Sequence, residues 1–246
     1  MAKGQEDQLA LFDPGLTQQS WRVRESVRAR RLTVRVLPGG RVEIVVPTGT
    51  RATTVQHFVA RHRGWIERKV ADYRHAGLAS TEQPPTEIHF QATAARYDVG
   101  YVADPTALRL HESAGQLTVS GDIARVTLVR HLLQRWLLRA AHSSLVPWLQ
   151  SMASEHGLGV NRIQVRRQRT RWGSCSRAGT VSINACLMFQ RPEVVHYLFM
   201  HELAHTVHMN HSRGFWQLVE RLEPGWRQLD RELAAGWRSV PHWAIG

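Results

Sequence analysis

The string His201-Glu202-Leu203-Ala204-His205 sets two imidazoles four residues apart with a carboxyl beside the first. On a helix, such positions lie about 40° apart around the axis and one turn along it, so both rings reach one metal ion from a single face. Glu202 stands about 100° round from His201, beside such an ion rather than on it, where it can accept a proton from water. Zinc (Zn2+) suits this donor set, and catalytic zinc sites combine three protein ligands with one open position, so a third ligand is required. His211 is the leading candidate. On a continuous helix it would lie about 15 Å along the axis from His201, so the chain must turn back after about His208. Asn210 enters the left-handed conformation readily and suits that turn. The rivals are His208, which stays on the same side of a straight helix, and Glu220 or Glu223 on the next helix.

Other residues invite weaker assignments. Tyr197 lies one turn before His201 on the metal-facing side and is a candidate to stabilise an oxyanion, against a packed tyrosine. Arg171 and Trp172 are candidates for a substrate groove, although a tryptophan here also suits the core. Arg166, Arg167, Arg169 and Arg171 fit a path for nucleic acid or an acidic substrate, or equally a solvated strand face. Cys175 offers a nucleophile or a fourth zinc ligand, but a thiol near a strand is more often a small buried apolar group. His142-Ser143-Ser144 has no identifiable acid partner or nucleophile elbow, which argues against a serine hydrolase.

These residues need a folded scaffold, and the chain can supply one. It has 246 residues, 43% hydrophobic and 21% charged, which is ordinary globular composition for one or two compact units. Two cysteines are too few for a disulfide framework, and the start MAKGQEDQLALFDPG has no apolar signal-peptide core, so a reducing cytoplasm is expected. Val126 to Leu149 is the greasiest stretch, but Arg130, His131, Gln134, Arg135, Arg139 and His142 interrupt it, so no membrane span is expected. A formal charge of +12 favours polyanions and leaves non-specific nucleic acid as a possible partner through a basic surface.

Residues 1–20 read as a loose arm. Leu32, Val34 and Val36, then Val42, Ile44 and Val46, alternate around Pro38-Gly39-Gly40 and predict a hairpin. A helix follows from Thr53 or Thr54 to near Gly77, and Ser80 to Pro85 reads as a linker. Short strands are expected over 87–91, 95–102, 107–111 and 116–120, making 21–121 a β-rich module. Helical spacing begins at Val126 within a second domain, 122–246. Pro147 should kink or restart that helix. A strand from Ile163 to Trp172, a turn at 176–179, a returning strand from Val181 to Cys186 and a buried helix from Pro192 to about Met209 complete an α+β reading. Either edge of that small sheet, Arg169 to Ser174 or Val181 to Cys186, could pair with an extended peptide.

His201 to His205, with Asn210-His211-Ser212, Phe215-Trp216 and Arg171-Trp172-Gly173-Ser174-Cys175, resembles the YgjP-like metallopeptidase family, a relative of the SprT-like and WLM zincins. The likeness extends to the N-terminal hairpin and Gly64-Trp65-Ile66-Glu67, and so covers most of the chain. It implies a zincin-like domain that hydrolyses polypeptides, with His201, His205 and His211 as zinc ligands and Glu202 as general base. The histidine spacing is also that of metzincins, but His208 stands where they carry glycine and no Met-turn can be identified. Two other classes fit the motif: a nucleic-acid-binding protein with a structural metal, for which Glu202 is dispensable, and a scaffold with an inactive site.

Overall fold

Alternating apolar residues build the first sheet. The computed structural model describes residues 21–37, 40–75 and 83–245; the expected arm over 1–20, Pro38-Gly39 of the hairpin turn, the helix end near Gly77 and 80–82 of the linker lie outside them. Strand β3 (Val42–Pro47) is central, with β1 (Trp21–Ser26) parallel on one side and β2 (Thr33–Val36) antiparallel on the other. The expected β2–β3 pairing is present, with Val34 opposite Ile44. Helix α1 (Ala52–His75) supplies Val55 and Val59 against Ile44 and Val46, and Ile66 and Val70 against Val42. Each pair on the helix is four residues apart and therefore shares a face.

The chain divides into two compact units, 1–80 and 81–246, so the boundary falls before the next four strands rather than at the composition shift at Gly121. Those strands, β4 (Glu87–Phe90), β5 (Ala95–Ala103), β6 (Arg109–Ser113) and β7 (Gln116–Gly121), form a sheet in the order β4-β5-β7-β6. Helix α2 (Val126–Glu155) packs on this sheet through Trp136, whose ring stacks on Phe90 at 5.3 Å and whose indole N–H donates to Glu112 Oε2 at 2.8 Å. That shared core is why the four strands belong with the C-terminal helices. Of the kink or restart expected at Pro147, the restart does not occur: α2 runs through Pro147 as one helix.

The third sheet departs from expectation. Strand β8 (Arg162–Arg166) ends well short of Trp172, and β9 (Gly173–Cys175) is a separate edge strand; both pair with β10 (Thr180–Asn184), parallel and antiparallel respectively. Asn184 explains the break. Fully buried, it donates through Nδ2 to the carbonyls of Gln168 at 2.7 Å and Arg171 at 2.9 Å, while its backbone N–H donates to Trp172 at 2.8 Å. These bonds satisfy the irregular loop 167–172 that a continuous strand would have paired along its length. The Asn184 Oδ1 also accepts from the Cys186 N–H at 3.0 Å and starts a 3-10 turn over Ala185–Phe189, which ends β10 before Cys186. Because β10 is the middle strand, Val181 to Cys186 is not a free edge. Helices α3 (Pro192–Ala204), α4 (Arg213–Leu222) and α5 (Trp226–Ala235) follow, so the described residues form a mixed α+β structure of five α-helices and three small sheets.

Candidate metal centre

Pro192 at the first position and Glu193 in the first turn start α3, as fixed φ and a negative charge at the positive helix end favour. Val194, Val195, Leu198, Phe199, Met200, Leu203 and Ala204 bury it in the core. The helix stops at Ala204, sooner than the expected Met209. Thr206 N–H and its hydroxyl both donate to Leu203 O, and the N–H groups of Val207 and His208 both donate to Ala204 O, tightening the last turn. The reversal needs no left-handed residue: Ala94 and Ala114 are the positive-φ non-glycines among the described residues, so Asn210 is not one.

This turn brings His211 back. One ligand-capable nitrogen from each of His201, His205 and His211 lies within 4.8 Å of the others, and the Nε2 atoms of His201 and His211 are 3.2 Å apart. His205 Nδ1 lies 3.0 Å from His208 O, so its N–H donates there and Nε2 is left as an acceptor. Phe215 of α4 touches all three imidazoles, with ring centroids 4.4 to 5.0 Å away. Trp216 stacks on His211 at 5.5 Å, and Trp226 stacks on Trp216 at 4.3 Å. The Ser212 hydroxyl accepts from the Phe215 N–H at 3.4 Å and starts the helix that carries these rings.

The rival residues are engaged elsewhere. Glu223 Oε2 pairs with His196 Nδ1 at 2.9 Å, Glu220 Oε2 accepts from the Trp226 indole and from Arg227, and the His208 ring lies against Gly214. Trp172 is buried and stacked on Trp237 at 4.1 Å, a core position rather than a groove wall. Arg171 is exposed, with its charge acting on Glu202. Tyr197 is buried, and its hydroxyl donates to Asp230 Oδ1 at 2.8 Å on the Nδ1 side of His201. Arg166 is held by Gln164, and Cys175 is half-buried with its thiol pushed up by burial and then by Glu202.

Glu202 is 5% exposed, and its Oε2 has no hydrogen-bond partner. Burial raises its pKa to about 8 against the opposing pull of Arg171. Gly173 on β9 makes this packing possible: a Cβ there would sit 2.5 Å from Glu202 Oε1. Burial, then His205 and His211, lowers His201 to about 3, which keeps its imidazole neutral. Three converging imidazoles beside a buried carboxyl whose Oε2 has no partner fit a divalent cation, which would also favour the ionised carboxylate and draw its pKa down.

A pH dependence follows for the metal-free chain. Folded Glu202 keeps its proton to about pH 8, while the unfolded chain releases it near 4.5, so rising pH destabilises the fold across that interval. Folded His201 resists protonation to about pH 3, whereas the unfolded residue protonates near 6.5, so falling pH destabilises across that lower interval. The two oppose below pH 6.5, and above it Glu202 acts without His201. Thermal midpoints in chelator should decline between pH 6.5 and 8, and Glu202→Gln should remove the decline; an unchanged decline would refute the buried-carboxyl assignment.

Comparison with protein families places this chain among the metallopeptidases: the model described as YgjP-like, metallopeptidase domain, matches residues 30–235. The chain belongs to this YgjP-like family. A solved structure, the metallopeptidase zymogen abylysin of Pyrococcus abyssi, is 25% identical over 35% of this chain and 89% of that one, with a TM-score of 0.32. Comparison with curated proteins returns no match. No helix among the described residues is long and apolar enough to cross a membrane.

Sequence reasoning missed Gly173 as a contact of Glu202 and missed Asp230 altogether. The Gly173-Ser174-Cys175 string marked the first, whereas nothing in the spacing links Asp230 to a histidine 29 residues away.

Proposed function

We propose that this chain is a zinc-dependent peptidase in which His201, His205 and His211 hold the metal and Glu202 is the general base. The buried Glu202 carboxyl, its Oε2 without a partner, beside three converging imidazoles carries the reading. Such a carboxyl costs about 1–3 kcal/mol of desolvation without return to the fold, a pattern typical of catalytic groups. Zinc, when bound, lowers the pKa of its water toward about 7 and polarises the scissile carbonyl. Glu202 takes the proton from the attacking water; as the carbon–nitrogen bond breaks, it passes that proton to the leaving nitrogen. The free edge of β9, carrying Gly173 against Glu202, would pair with an extended peptide backbone and hold it beside the base.

A broad peptide library tests this reading. Zinc-loaded protein should cleave a subset of peptides, chelator should abolish cleavage and added zinc should restore it; no cleavage by the loaded chain would overturn the peptidase assignment. His211→Ala should release the metal, whereas retention there with loss in Glu220→Ala or Glu223→Ala would transfer the third ligand to a carboxylate. Gly173→Ala should keep the zinc but displace the Glu202 carboxyl, lowering hydrolysis by about 100-fold and stability by about 1–3 kcal/mol. Zinc-saturated kinetics and thermal unfolding measure both.

A further inference from the structure

His201 has a second nitrogen, and the structure gives it a partner. Its Nδ1 lies 3.4 Å from Tyr197 Oη, and that hydroxyl lies 2.8 Å from Asp230 Oδ1 on α5. A phenol has one hydrogen and a carboxylate can only accept, so Tyr197 spends its hydrogen on Asp230. The oxygen of Tyr197 is then an acceptor toward His201, whose Nδ1 must carry the hydrogen. That choice leaves the Nε2 lone pair free on the side facing His211, 3.2 Å away.

We infer that Tyr197 and Asp230 are positioning residues that fix the tautomer and ring orientation of His201 for metal binding. The inference rests on the zinc reading above and gives Tyr197 a role behind the ligand rather than on the substrate. The geometry is built rather than incidental. Tyr197 and His201 are one turn apart on α3, Tyr197 is 1% exposed, and Asp230 arrives from a different helix. The 3.4 Å contact is long for a neutral pair, and a cation on Nε2 makes the Nδ1 hydrogen more acidic and shortens it. Partial negative charge then passes from Asp230 through the phenol to the imidazole, raising its basicity as a ligand. His205 obtains the same service from a backbone carbonyl, that of His208, so of the two helix-borne imidazoles it is His201 that draws on a side-chain relay.

Zinc affinity measured by chelator competition on the full chain tests the relay. Tyr197→Phe keeps the buried ring and removes only the hydroxyl, and Asp230→Ala removes the acceptor. Each should weaken zinc binding by about 10- to 100-fold. Asp230→Asn keeps an acceptor oxygen for the phenol without the charge and should fall between these and wild type. The metal-free thermal midpoint of Tyr197→Phe should stay close to wild type, a separation that a merely structural role would not give. Affinities within twofold of wild type in Tyr197→Phe and Asp230→Ala, with His201→Ala still unable to bind, would overturn the relay and leave the ligand set standing. A parallel fall of metal-free stability and affinity would assign the pair to packing instead, and a wild-type chain without zinc affinity would remove the ligand set itself.

Discussion

Glu202→Gln is expected to keep the fold and the zinc while lowering peptide hydrolysis by about two to four powers of ten. Glutamine matches the shape of glutamate, so the packing against Gly173 survives, and the side chain is not among the three converging imidazoles. The amide cannot accept the water proton, so the loss should fall on kcat, with peptide binding along β9 retained. The variant also removes a carboxyl that is costly to ionise in its buried position, so the metal-free protein should gain stability near pH 8. Single-turnover cleavage at saturating zinc isolates the chemical step. Equal rates for the two proteins would remove Glu202 as the base.

Local pattern made much of this structure readable. The period-two runs around Val34 and Ile44 form β2 and β3, and the helical spacing after Val126 forms α2. The motif on α3 and the return of His211 follow from helix geometry, because only a reversal brings the third imidazole within reach. What failed depended on specific hydrogen bonds and packing contacts, some distant in sequence and some local. Asn184 ends β8's neighbour and pins the loop 167–172 by bonds across 13 and 16 residues, which periodicity cannot register. The early stop of α3 comes from backbone bonds to Leu203 and Ala204, so the conformational preference of Asn210 was the wrong signal. The boundary expected at Gly121 followed composition, whereas the core formed by Trp136 with Phe90 joins the strands to the helices on either side of it. Asp230 was invisible because it reaches the site through the Tyr197 hydroxyl, a contact between two helices that spacing does not register.

Removal of a ligand should have the other large effect. His201→Ala and His205→Ala each leave two imidazoles, and zinc affinity should fall by more than the roughly 10- to 100-fold that loss of an outer-shell partner costs. His205→Ala also deletes the bond from Nδ1 to the His208 carbonyl, which steadies the turn leading to His211, so it should be the more damaging of the two. Hydrolysis should vanish with the metal in both, and excess zinc should recover little of it. The decisive measurement is elemental analysis after each protein is stripped with chelator, reloaded with zinc and dialysed. About one zinc per wild-type chain and next to none in His201→Ala or His205→Ala is the predicted result; a full equivalent retained by both variants would contradict the assignment of this histidine cluster as the metal site.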